Sequence, residues 1–116
     1  MKAKAGANIL VCPHENISLA KNPFTSYQSC LEIVLGGWGN TKSVIRQRRK
    51  ILSVKMGSVL DEQKFVNLVL DFSGQNGNIY KNGEILLELK NWKNYLTKVD
   101  SIGISTGWGI RGDWTV

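Results

Sequence analysis

The sequence is short of the residues that carry most enzymatic chemistry. It has one histidine, His14, two cysteines, two prolines and nine carboxylates in 116 residues. A single histidine excludes a paired-imidazole metal centre, and Cys12 and Cys30 form no CxxC, so a zinc site has no ligand set. His14, beside Glu15, would need Cys12 or Cys30 to make an activated thiolate, and the spacing matches no such pair. The carboxylates Asp61, Glu62, Asp71, Glu84, Glu88, Asp100 and Asp113 are scattered, and nothing selects the two that glycoside hydrolysis requires. No catalytic residue, metal ligand or cofactor is therefore expected.

Long apolar runs are also missing. No stretch approaches the roughly 20 apolar residues of a membrane-spanning helix, so membrane insertion is not expected. Near the start only Ile9-Leu10-Val11 is continuously apolar, too short for a secretory leader. Two localisations stay open: cytoplasmic, or extracellular with a leader outside this sequence. Cys12 and Cys30 accordingly read either as one disulfide between neighbouring strands or as two buried thiols. The Asn16-Ile17-Ser18 sequon matters only for a secreted chain.

What is present is a pattern of period two. Val66, Leu68, Leu70 and Phe72 alternate with Phe65, Asn67, Val69 and Asp71. Leu31, Ile33 and Leu35 alternate with Glu32 and Val34, and Ile85, Leu87 and Leu89 with Glu84, Leu86 and Glu88. Leu52, Val54 and Met56 share a face, as do Ile17 and Leu19. Asn82-Gly83 marks a type I′ hairpin turn, and Ser73 to Gly77 and Lys21-Asn22-Pro23 mark further turns. Trp92, Tyr95, Leu96 and Val99 have helical spacing, enough for one turn within a loop. The expectation is one all-β domain over residues 1–116, an antiparallel β-sandwich, jelly-roll-like, with about eight or nine short strands and a flexible N-terminal arm at residues 1–7.

The net charge is +6, densest at Arg46-Gln47-Arg48-Arg49-Lys50. Four clustered cations without a surrounding motif do not make a nucleic-acid site, and the run reads as a solvated strand end or hairpin tip.

Chemistry concentrates instead in two glycine–tryptophan stretches, GGWGN at 36–40 and TGWGIRGDW at 106–114. A phosphate loop is excluded for the first, because Thr41 to Arg46 read as a strand and no helix N-terminus follows the glycines. Trp38, Asn40, Arg46, Trp108, Arg111, Asp113 and Trp114, with Thr41, Ser43 and Thr106 nearby, supply the groups of a sugar site. Indole covers the C–H face of a pyranose, while planar amide, guanidinium and carboxylate groups take its hydroxyls. The competing reading is that these tryptophans plug the ends of the core.

LEIVLGGWGNTKSVIR and VDSIGISTGWGIRGDW closely resemble motifs of the farnesoic acid O-methyltransferase domain family, and HENISLA and FVNLVLDFSGQNGNIYKNGEILLEL resemble its other strands. The resemblance spans roughly residues 14–116 and sets Trp38, Asn40, Ser43, Arg46, Trp108 and Trp114 at matching motif positions. The family name implies an S-adenosylmethionine-dependent transferase, whereas similar domains beside lectin-like extracellular modules imply carbohydrate binding. The residues favour the second: a glycan-binding, non-catalytic module with glycans as partners, working as a homo-oligomer, most simply a dimer. The alternatives are the methyltransferase, or a protein- or anionic-lipid-binding module using Arg46–Lys50.

Overall fold

The computed structural model describes residues 2–3, 6–13, 29–60, 65–99, 101–106 and 112–113. Within them the chain runs β1 (Lys2–Ala3), β2 (Ala7–Cys12), β3 (Leu31–Gly36), β4 (Lys42–Gln47), β5 (Lys50–Met56), β6 (Leu68–Asp71), β7 (Gly77–Lys81), β8 (Glu84–Leu89), β9 (Ser101–Thr106) and β10 (Gly112–Asp113). The sheets are antiparallel: a five-stranded one in the order β5-β4-β3-β2-β9, a three-stranded one in the order β6-β7-β8, and the short β1-β10 pair.

The all-β sandwich expected from the alternation is what forms. Ile9, Ile33 and Ile45 are cross-strand partners on one face of the larger sheet. They pack with Ile79, Leu87 and Leu89 of the smaller sheet, and Leu68, Leu70 and Phe72 close the layer from β6 and its end. Burying each such aliphatic side chain contributes about 1.5–3 kcal/mol. Trp92 fills one end of the core, edge-on to Phe72 at 5.4 Å between ring centroids, and its indole N–H donates to the Gly74 carbonyl at 2.8 Å. The helical spacing around it yields a single 3₁₀ turn, Trp92–Asn94.

The run Ile9-Leu10-Val11 lies in β2, between β3 and β9 in the sheet. Three expectations meet a different outcome. Against the expected arm over residues 1–7, Lys2 and Ala3 pair with Asp113 and Gly112, and Ala7 is fully buried. In β5, Ile45 pairs with Ser53 but Arg46 with Ile51, so Leu52 is an extra residue. Leu52 packs on the core, while Val54 and Met56 are exposed rather than sharing its face. A second register shift, with Ile79 on Leu87 but Tyr80 on Ile85, turns Ile85 outward and away from Leu87 and Leu89. A β-bulge reverses which face a residue occupies, and alternation alone does not reveal it.

Cys12 and Cys30 are joined in a disulfide at the end of β2 and the entrance to β3, one position beyond the Val11–Leu31 pair. Of the two readings left open by their spacing, the bridged one holds. Ile17 and Leu19 lie outside the described residues, as do the Lys21-Asn22-Pro23 turn, His14 and the sequon.

Candidate functional site

The link from β3 to β4 is a single helical turn, Gly37–Asn40, closed by the Thr41 N–H on the Gly37 carbonyl at 3.1 Å. Its backbone is left-handed: φ is 58° at Gly36, 53° at Trp38, 70° at Gly39 and 62° at Asn40. Glycine takes this conformation freely, and asparagine tolerates it. For tryptophan the Cβ–carbonyl crowding costs about 1–2 kcal/mol. Gly36 is further required by space, since a Cβ there would lie 2.6 Å from Asn40 Oδ1 and 3.0 Å from the Leu60 side chain.

The turn is pinned from below. The Gly36 N–H donates to the buried Ser43 hydroxyl at 3.0 Å, and the Gly6 N–H donates to the Gly36 carbonyl at 2.9 Å. Asn40 Oδ1 accepts the N–H groups of Val59 and Leu60, both at 3.0 Å, while its Nδ2 donates to the Leu60 carbonyl at 2.8 Å. Thr41 Oγ1 donates to the Trp38 carbonyl at 2.7 Å.

This frame lifts Trp38 out of the protein. Trp38 is 50% exposed, so this ring is no core plug. Lys42 Nζ stands 4.1 Å from the ring centroid, a cation–π contact worth about 0.5–1 kcal/mol at an exposed site. Met56, the cross-strand partner of Lys42, is 68% exposed beside it. Trp38, Lys42 and Met56 therefore form one corner of the larger sheet.

Asn40 and Arg46 have other duties. Every polar atom of the Asn40 carboxamide is used inside the protein, so it holds the turn rather than facing a ligand. Arg46 lies four residues beyond Lys42 along β4 and forms a two-pronged ion pair with its cross-strand partner Glu32: Nε to Oε2 at 3.0 Å and a terminal nitrogen to Oε1 at 2.8 Å. The hydrogen bonds to Glu32 raise the guanidinium pKa further, partial burial opposes this, and the carboxylate charge adds to it. The guanidinium is thereby committed to Glu32. Ser43, buried on the core side, is likewise a support of the turn.

The second motif is only partly in view. Asp113 is placed by its backbone opposite Lys2, Thr106 by its backbone opposite Ala7, and Trp108, Arg111 and Trp114 lie outside the described residues. Lys42 was not among the residues singled out from sequence. Its position four residues past Trp38, across a turn, is the signal that could have found it.

A family model described as farnesoic acid O-methyl transferase matches residues 10–116. The chain belongs to that family. No curated protein and no solved structure gives a match. In this farnesoic acid O-methyltransferase-family domain, the motif glycines lead into strand β4 and not onto a helix, so the turn presents no helix N-terminus to an anion. Among the described residues no group of three His, Cys, Asp or Glu side chains is placed to hold a metal ion.

Proposed function

We propose that this domain is a non-catalytic glycan-binding module in which the Trp38 ring is the stacking platform. One observation carries the reading: a tryptophan is held half-exposed in left-handed backbone, at an energetic cost, by a turn whose other side chains all serve to fix it. Strain of this kind persists where surrounding contacts over-determine it, and it clusters at binding sites. Lys42 occupies one side of the indole and adds a donor for sugar hydroxyls next to the open side. Trp108, Arg111, Asp113 and Trp114 are proposed as the second half of the surface, on the strength of their matching motif.

A sugar contact of this kind returns little net energy, so a single site sits between millimolar and micromolar Kd, about −4 to −8 kcal/mol. Useful avidity then requires linked sites, and a symmetric homodimer is the simplest source of them. The buried Cys12–Cys30 disulfide supports an oxidising, extracellular setting, where glycans are the abundant partners. The test is a glycan array with folded protein, with and without chelator, alongside Trp38→Ala. Binding that is lost in the variant while its melting temperature holds supports the proposal, and an array at background overturns it.

Methyl transfer is the second reading, favoured by the family's description. Calorimetry with S-adenosylmethionine separates the two: saturable heat would establish cofactor binding and displace the lectin reading.

A further inference from the structure

Four large apolar side chains that the protein leaves exposed lie on two strands. Ile51, Val54 and Met56 are 48%, 53% and 68% exposed on β5, and Ile85 is 56% exposed on β8. β5 ends the five-stranded sheet and β8 ends the three-stranded one. The two strands pack near each other, so both belong to one side of the sandwich. Among the described residues neither has a strand on its outer side. Each therefore presents a row of backbone N–H and C=O groups with apolar side chains beside them, an arrangement that invites a further strand.

The charges on the two strands are opposite. β5 (KILSVKM) carries Lys50 and Lys55 and no carboxylate, while β8 (EILLEL) carries Glu84 and Glu88 and no cation. All four are exposed, and among the described residues none of them is engaged in an ion pair. Such charges ordinarily guard a sheet edge, and the bulge at Leu52 adds to the guard. Here the guard is selective. β5 beside another β5 would set lysines among lysines, and β8 beside β8 would set carboxylates among carboxylates. β5 beside β8 answers each sign with the other.

We infer that the protein forms a symmetric homodimer through this side of the sandwich, with β5 of each copy pairing with β8 of the other. A two-fold axis parallel to the strands satisfies both edges at once, because one side of the sandwich carries both. A foreign strand would have to be acidic for β5 and basic for β8, and a bilayer satisfies neither row of backbone groups. The dimer gives an interface to the avidity argued above and stands whether or not Trp38 binds a sugar. The axis does not exchange the ends of the strands, so Trp38, at the Met56 end of β5, faces the same way in both copies. Strand pairs about 20 Å long in sheets about 10 Å apart make a small interface, so dissociation is expected in the micromolar range.

The experiment is sedimentation velocity on the full chain from about 1 to about 500 µM, the range of a weak interface. A shift from monomer to dimer is expected, with backbone amide exchange in β5 and β8 slowing at the high end. Lys50→Glu/Lys55→Glu and Glu84→Lys/Glu88→Lys should each weaken the dimer about tenfold or more, with unchanged melting temperatures because all four side chains are exposed. Reversing all four charges in one chain should restore it, which neither β5 on β5 nor β8 on β8 would do. A monomer at every concentration overturns the inference, as does a dimer that the two double variants leave unweakened or that protects neither β5 nor β8. Sedimentation uses no sugar, so its failure leaves the Trp38 reading standing, and a blank glycan array leaves the dimer standing.

Discussion

Asn40 grips Leu60 from both sides, its Nδ2 donating to the Leu60 carbonyl at 2.8 Å and its Oδ1 accepting the Leu60 N–H at 3.0 Å. A side-chain amide here imitates a strand partner for a segment that pairs with no strand among the described residues. Asn40→Ala removes these bonds and the one from Val59, and leaves alanine in left-handed backbone. At about 0.5–1.5 kcal/mol per hydrogen bond, the loss is about 2–4 kcal/mol, read by urea unfolding. Asn40→Gly should recover part of it, because glycine removes the backbone strain but not the missing bonds.

Trp38 behaves differently. Trp38→Gly relieves the left-handed strain but gives up the covered half of the ring and its contact with Lys42, so stability should fall by no more than about 1–2 kcal/mol while glycan binding disappears. A loss of several kcal/mol on denaturation would mean that the ring supports the fold.

Arg46→Met, measured with Glu32→Gln in a double-mutant cycle, should give a coupling energy of about 1 kcal/mol. The pair is bidentate but partly open to solvent, with side chains 32% and 29% exposed, which keeps the value at the modest end. Sugar binding should be unaffected, since the guanidinium is already occupied.

Asp71 caps its own turn: its carboxylate accepts both the hydroxyl and the backbone N–H of Ser73, and these bonds hold its pKa below the ordinary aspartate value. A carboxyl depressed in the folded state stabilises fully above its unfolded pKa of about 3.9 and loses that contribution as pH falls through the folded value. An NMR titration should find the Asp71 midpoint below 3.9, and Asp71→Asn should flatten this part of the acid unfolding curve.

Much of the fold was legible because the responsible signals are local. Asn82-Gly83 announces its turn through residue type, and Val66, Leu68, Leu70 and Phe72 announce their face through period two. The bulges at Leu52 and Leu86 are not local: they are set by the partner strand, so Val54 and Ile85 were assigned to the wrong face. β2 escaped notice because Ile9-Leu10-Val11 is short, and what makes it central is the pairing with β3 and β9 far along the chain. At the site, GGWGN signalled a turn and left the exposure of Trp38 undecided. The roles of Asn40 and Arg46 were misread for one reason. An amide and a guanidinium look equally suited to ligand or scaffold until Leu60 and Glu32 are seen beside them.

Reduction of the Cys12–Cys30 bond should lower stability by about 3 kcal/mol, the chain-entropy value for a loop of this size, read as a fall in melting temperature with dithiothreitol. Cys12→Ala/Cys30→Ala should melt at the reduced protein's temperature and no longer respond to reductant.

The same bridge changes what a protease can do. Residues 13–29 are enclosed between the two cysteines, so one cut anywhere among them yields two fragments that remain a single molecule until a reductant is added. β2 would stay covalently tied to β3 after such a nick. Proteolysis between the cysteines would therefore not part these two strands of the sheet.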